Sequence, residues 1–522
     1  MSDAGLRANF LSVAYRPAYD GALWLSQAAG SATPSAYVSW DRKGGLDQNL
    51  SIAASGVTLT PAGVAGVMAI DVSYGESLSV GGNATVAAGV LDTIAKSAVD
   101  AGTALMPAFA DALSYPQVLS RQFAGTSMDL LELAPFGSSG GSHLPGLAKV
   151  SGTLQAARGA KMQTLYANAG ASGARMFQLS QQGVTPYFAN LARTIRNMLA
   201  IAASAGRQPV PKPVKWLQGA NDSGSGQGLR AADYVIWLKR LLEDINMVWR
   251  QFGAWHPAAP DIPMLMIQPD REGVSQRSGV GGNPGGARVY KLGADGPRIG
   301  MWNAALSDPR LMLAGSHYQF PMSTVAGDNG SHLAAESYWR AGEMMAIAED
   351  ALMFGPRWRP LMPLNITLVS STVIDVQTNS FVDFGQALSI DTVRVADMAD
   401  AGKGFAVWNN ASGTAYVIAS VAVSGANSDT VRLTLGSAIA ATDQPWIDYA
   451  VWRDDAFAGN AGPGSPGGTR GNIRLATGWA STVDAPLGRA AGTTVDYHWM
   501  VGARVPAPTT SGQIWPVDRR IA

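Results

Sequence analysis

From residue 66 to about 360, short apolar runs alternate with stretches of helical period. The runs are GVMAIDVS (66–73), MQTLYANAG (162–170), PVKWLQGAND (213–222) and IPMLMIQPD (262–270). Before the last of them, LRAADYVIWLKRLLEDINMVWRQF (229–252) places Tyr234, Leu238, Leu241, Ile245, Val248 and Phe252 three or four residues apart, the spacing of one helix face. Such alternation predicts a parallel sheet with helices on both faces. After about residue 363 the period changes. NITLVSSTVIDVQT, TAYVIASVAVS, TVRLTLGS and PWIDYAVWRD are β-branched or alternating and are separated by Gly, Asn, Asp and Ser clusters. Val431, Leu433 and Leu435 fall on one strand face. This predicts an all-β region, a sandwich or jelly roll, with 458–472 (AGNAGPGSPGGTRGN) as a long loop. Residues 1–65, rich in Ala, Gly, Ser and Pro, read as an N-terminal arm or small β-element. The expected division is therefore 1–65, 66–362 and 363–522.

Composition narrows the chemistry. Basic and acidic residues balance at 38 each in 522 residues, so charge gives no case for nucleic acid or an anionic membrane as partner. No apolar run reaches the ~18 residues of a membrane helix. The start, MSDAGLRANFLSVAY, lacks a charged region followed by an apolar one, so no secretory signal is expected and a non-Sec route stays open. The absence of cysteine excludes disulfides, zinc–thiolate sites and thiol catalysis. The five histidines, His143, His256, His317, His332 and His498, form no H-E-x-x-H or H-x-H pair. That points away from a histidine-rich metal site, and no cofactor is expected.

In open α/β sheets, sites form at the carboxyl ends of strands. Four segments place polar residues there or late in the same region: YGESLS (74–79), NAGASG (168–173), QGAND (218–222) and DNGSH (328–332). Their order and residue types resemble the SGNH hydrolases, also called the GDSL esterase/lipase superfamily. GESLS resembles block I, with Glu76 where Asp is commoner. NAGASG resembles block II, GAND block III and NGSH block V. YGESLSVG and WLQGAND are closest to the carbohydrate and sialate O-acetylesterase branch. The resemblance covers about 66–355. It implies a flavodoxin-like three-layer α/β fold, Ser77 as nucleophile and His332 as base. It also implies an oxyanion hole made by the N–H groups of Ser77 and Gly173 and the side-chain amide of Asn221.

The chemistry needs these residue types. A serine hydroxyl attacks only when a base takes its proton, and imidazole does this near neutral pH. A glycine lets the backbone approach the substrate closely. His332 precedes LAAESYWRAGEMMAIAEDAL, in which Leu333, Ala341, Met344, Ala348 and Leu352 suggest an amphipathic helix. The third triad member is open. The family places Asp three residues before the histidine; here that position is Asn329, and Asp328 lies one residue earlier. Asn can orient an imidazole but cannot stabilise imidazolium by charge. Either Asp328 serves through a shifted turn, or Asn329 does so by hydrogen bonding alone, or the enzyme runs as a Ser-His pair.

Other motifs compete less well. GSSGG (137–141) matches G-x-S-x-G around Ser139, with His143 close behind, but HLPGLAKV has Pro and Gly where an α/β-hydrolase elbow needs a helix. It reads as a flexible loop within an insertion, about 83–160. GVGGNPGG (279–286) lacks the Gly-Lys-Ser/Thr of a P-loop. Asp270 and Glu272 read as solvated loop charges and His317 as structural. Trp446, Trp452 and Trp499 could stack a sugar, but core packing is the favoured role. The expectation is a metal-free serine esterase removing O-acetyl groups from a carbohydrate or polysaccharide through an acyl-enzyme. The alternative is an inactive glycan-binding or structural virion or adhesin protein. The Gly/Ala/Ser-rich, cysteine-free composition suits a phage tail or spike setting, in which a homo-oligomer, a trimer, would be expected.

Overall fold

The computed structural model describes residues 10–13, 23–26, 35–37, 67–80, 104–108, 132–135, 143–157, 163–223, 229–252, 261–269, 292, 296–323, 332–354, 358–395, 401–451 and 469–517. Within 1–65, β1 (Phe10–Val13), β2 (Leu23–Ser26) and β3 (Ser35–Tyr37) pair as an antiparallel three-stranded sheet.

The central eight-stranded sheet comprises β4 (Val67–Gly75), β5 (Ala104–Ala108), β6 (Glu132–Pro135), β7 (Gln163–Asn168), β8 (Gln208–Pro211), β9 (Val214–Leu217), β10 (Met264–Gln268) and β11 (Leu311–Ser316). Its order is β11-β10-β9-β4-β7-β5-β6. β8 lies beside the first half of β4, and β9 beside its end. The pairs are parallel except β5–β6, which is antiparallel. The sheet is therefore mixed, and the expectation of a parallel sheet is corrected at this edge. β5 and β6 come from the insertion between 83 and 160, whose ALMPA and ELAP carry no β-branched alternation.

The described helices are α1 (Ser77–Val80), α2 (Leu144–Ala157), α3 (Met176–Leu179), α4 (Tyr187–Ser204), α5 (Ala231–Gln251), α6 (Pro297–Ser307), α7 (Ala335–Phe354) and α8 (Ser380–Phe384). α5 has Asp233 in its first turn and Arg250 in its last, which suits the helix dipole. α6 starts on Pro297, where no N–H is needed.

Strand alternation divides the helices between two faces. Met68, Ile70, Val72 and Tyr74 of β4 share one cluster with Leu191 and Ile195 of α4, Leu238 and Leu241 of α5, and Trp302 of α6. Tyr166, Leu265 and Ile267, on the opposite face, share another with Leu147 of α2 and Met344 and Met345 of α7. Two expectations change here. α7 is buried almost all round rather than amphipathic, because it lies between this face and α2. The segment behind GSSGG is helical: Pro145 stands in the first turn of α2, where its missing N–H costs little. Gly146 lets α2 approach α7, since a Cβ there would overlap the Trp339 carbonyl oxygen. Residues 137–141 lie outside the described residues.

Beyond 362 the strands among the described residues all pair antiparallel. One sheet contains β12 (Pro363–Ser370), β13 (Val373–Thr378), β17 (Ile418–Ser424), β18 (Thr430–Leu435) and β24 (Ile514–Pro516). Another contains β15 (Phe405–Asn409), β16 (Thr414–Tyr416), β19 (Pro445–Tyr449) and β23 (Ala503–Pro506). Two-stranded pairs join β14 (Leu388–Ile390) to β20 (Ile473–Leu475), and β21 (Trp479–Ala480) to β22 (Val495–Asp496). Val431, Leu433 and Leu435 are buried on one face, as the alternation predicts. The run TAYVIASVAVS is split between two sheets at Val417, which is exposed. Trp499 is buried edge-to-face on Tyr318, and Trp446 stacks on Trp408; Trp452 lies outside the described residues.

The β-rich region is docked, not tethered. The first hydrophobic cluster runs from Met68 through Leu361 to Val505. Val501 N–H donates to the Leu361 carbonyl (3.0 Å), Tyr318 OH to the Met500 carbonyl (2.7 Å), and Gly502 N–H to Gln268 Oε1 (2.8 Å). Fully buried Arg298 donates to Thr469 Oγ1 (2.7 Å) and to the Pro269 carbonyl (2.6 Å).

Candidate active site

β4 is the strand at which the connections reverse direction: β5–β7 lie on one side and β9–β11 on the other. The carboxyl end of such a strand opens into a crevice. β4 ends at Gly75, which has φ +149°, and a Cβ there would overlap the Leu217 carbonyl oxygen of β9. Only glycine lets the chain turn this close to its neighbour. Glu76 N–H then donates to that same oxygen (3.0 Å), and Ser77 opens α1, 9% exposed.

Two loops close on this turn. The one after β7 is tied to it by Ala169 N–H on the Ser73 carbonyl (2.8 Å) and Ala171 N–H on the Gly75 carbonyl (2.9 Å). Asn168 holds its start, donating to the Ser79 carbonyl and accepting from Ser79 Oγ (3.0 Å) and Gly170 N–H (2.9 Å). Gly173, at φ +72°, is exposed at the tip, with open space where a Cβ would stand. The loop after β9 carries Asn221, half-buried, whose side-chain nitrogen donates to the Gly173 carbonyl. The structure thus brings Ser77, Gly173 and Asn221 to one corner of the sheet.

Two carboxylates that the motif reading did not assign hold that corner. Glu76, almost fully buried, accepts the N–H groups of Gly219 (2.9 Å), Ala220 (2.8 Å) and Asn221 (3.0 Å). Burial, and next to it the charge of Asp222, pushes its carboxyl up to about 8, against the pull of those N–H donors. Asp222 accepts from Met176 N–H (2.7 Å) and the Gln218 side chain, which anchors α3 behind Gly173; burial raises it too. The signals in the sequence were Glu76 in place of the commoner Asp of block I, and the Asp of GAND.

His332 stands three residues before α7 and is half-buried. Its carbonyl accepts Ser323 N–H (2.7 Å), and Met322 bridges Leu333. Leu333, next to His332, and Leu78, next to Ser77, belong to one buried cluster. Asp328 and Asn329 lie outside the described residues.

Two other described histidines, His143 and His498, sit in settings that suppress protonation. His143, fully buried, has Nε2 2.7 Å from Ser73 Oγ, and burial first, then Lys215 and His317, pushes it down to about 3. It begins α2 as a neutral structural residue. His498 is boxed by Trp358, Phe384 and Trp479 at ring distances of 5.4, 5.1 and 4.8 Å, and burial pushes it down to about 4. His317 is buried at the end of β11.

Beneath the corner, facing α2 and α7, lies a fully buried ionic cluster. Lys215 of β9 donates to Asp71 of β4 (2.6 Å) and to Glu349 of α7, and Lys212 donates to the other Glu349 oxygen (2.6 Å). Strong burial pushes Asp71 up to about 6, while the two ammonium groups hold Glu349 down at about 2. Among the described residues no group of three or more His, Asp or Glu could hold a metal ion, and no helix is long and apolar enough to cross a membrane.

Fold and corner together define an α/β protein with helices on both faces of a mixed sheet and a docked β-rich region. No protein-family model and no curated protein matches the chain. Among solved structures it is similar to a carbohydrate acetylesterase from Xanthomonas citri, with 12% identity and a TM-score of 0.48 over 84% of this chain and 80% of that one. It is also similar to an Arabidopsis thaliana protein, with 14% identity and a TM-score of 0.35 over 55% of this chain and 98% of that one. Likenesses at these scores fix neither the family nor the activity of this chain.

Proposed function

We propose that the chain is a serine esterase of the SGNH type that removes O-acetyl groups from a carbohydrate. The observation that supports this best is the meeting of Ser77, Gly173 and Asn221 at the switch point of the sheet, with Asn221 hydrogen-bonded to Gly173. In this reading Ser77 Oγ attacks the acetyl carbonyl carbon as His332 takes its proton. The tetrahedral oxyanion receives the N–H groups of Ser77 and Gly173 and a side-chain N–H of Asn221, which has two such hydrogens. Collapse expels the sugar oxygen, which His332 protonates. Water then hydrolyses the acetyl-serine by the same route. The β-rich region, in this reading a sandwich, would help hold a polymeric substrate.

The test is hydrolysis of an aryl acetate and of an acetylated polysaccharide by wild type and Ser77→Ala. Wild-type turnover that Ser77→Ala abolishes, with circular dichroism unchanged, is the expected result. Equal turnover by both proteins would move the nucleophile elsewhere, and glycan binding without turnover would favour the inactive binding protein.

A further inference from the structure

Ser77 is preceded by a residue bonded at both ends to the segment that carries Asn221. The Glu76 backbone N–H donates to the Leu217 carbonyl, and its carboxylate receives three consecutive N–H groups, from Gly219 to Asn221. Consecutive backbone N–H groups that converge on one acceptor group form a nest. Asp222 turns away from this nest to Met176 N–H and Gln218. Asn221 in turn reaches the Gly173 carbonyl. A continuous chain of bonds therefore runs from the serine turn through Glu76 to both other oxyanion groups.

We propose that Glu76 is a positioning residue of the oxyanion site, its carboxyl group fixing the 219–221 backbone and through it the direction of the Asn221 side-chain amide toward Gly173, while its own backbone opens the turn that presents Ser77. This rests on the esterase reading and adds a division of labour within it. Asn221 touches the oxyanion; the Glu76 side chain acts only through Asn221. Without the carboxylate the loop from 219 to 221 has three N–H groups with no acceptor, and the Asn221 amide loses its fixed direction.

The experiment is a double-mutant cycle on the full chain with an aryl acetate: wild type, Glu76→Gln, Asn221→Ala and the double variant. Gln keeps the size but turns one oxygen into NH₂, which faces the Asn221 N–H donor to donor. Glu76→Gln is expected to lower kcat about 10- to 100-fold with KM within about twofold, as for loss of an interaction made in the transition state. In the Asn221→Ala background the same change should cost less than about threefold, because residues acting as a unit are not additive. Equal losses in both backgrounds, or unchanged kcat in Glu76→Gln, would overturn the proposal.

Amide hydrogen exchange supplies an arm independent of turnover. The Gly219, Ala220 and Asn221 amides should be protected in wild type and exchange at least about tenfold faster in Glu76→Asp, which keeps the carboxyl group but is one methylene too short. Turnover with unprotected amides in wild type would sink the Glu76 proposal alone. Protected amides without Ser77-dependent turnover would sink the esterase reading and leave the carboxylate clasp itself standing.

Discussion

Replacing Lys215 by methionine tests whether the ionic cluster under the active-site corner holds that corner together. Lys215 contacts Asp71 at 2.6 Å and also Glu349, and all three side chains are almost fully buried. Asp71 lies six residues before Ser77 on β4, Lys215 six before Asn221 on β9, and Glu349 is on the helix that follows His332. Two lysines balance two carboxylates. Methionine keeps the apolar stem but leaves Asp71 and Glu349 facing Lys212 alone, at 3.8 and 2.6 Å. Removing one partner of a buried pair costs about 3–5 kcal/mol, because an uncompensated charge stays out of water. That is a large share of the ~5–15 kcal/mol that typically holds a domain. Urea unfolding followed by tryptophan fluorescence at pH 7 should show the loss. The double change Lys215→Met with Asp71→Asn leaves the Lys212–Glu349 pair balanced and should recover part of it. A cost below about 1 kcal/mol for Lys215→Met, or a double variant no more stable than the single one, would refute the reasoning. Acid gives a second check on sign. Glu349 is held down from 4.5 to about 2, so its contribution is present above 4.5 and is lost as pH falls through about 2. Asp71 is raised from 3.8 to about 6, so its contribution is present below 3.8 and declines as pH rises through about 6.

Asn221→Ala should lower kcat about 10²- to 10³-fold with little change in KM; a change confined to KM would make Asn221 a ground-state binding group. Gly75→Ala places a Cβ against the Leu217 carbonyl in a disfavoured φ region, so thermal unfolding should show a loss of about 2–5 kcal/mol, and unaltered stability would show that β4 and β9 part easily. His332→Ala should cost as much turnover as Ser77→Ala. If Asp328 orients the imidazole, Asp328→Asn reduces kcat strongly; if Asn329 does, Asn329→Ala is the damaging change, and wild-type rates in both would exclude the pair.

The sequence alone settled which segments are strands and helices wherever the period was strong. GVMAIDVS, MQTLYANAG, PVKWLQGAND and IPMLMIQPD all become strands of the central sheet, and 229–252 becomes α5, because burying one face fixes the spacing of apolar residues. The resemblance of its short motifs also offered Ser77, Gly173 and Asn221 as candidates, because each motif is contiguous in the chain. Three things were decided only by tertiary structure. β5 and β6 join the sheet through neighbours rather than through their own pattern, as ALMPA and ELAP show. α2 forms across Pro145 and Gly146 and packs on α7, whose close approach leaves room only for a glycine at 146. Glu76, Asp71, Lys215 and Glu349 look in sequence like any charged residues. Their meaning comes from burial beside partners up to 145 residues distant along the chain, and only the packed fold sets those distances.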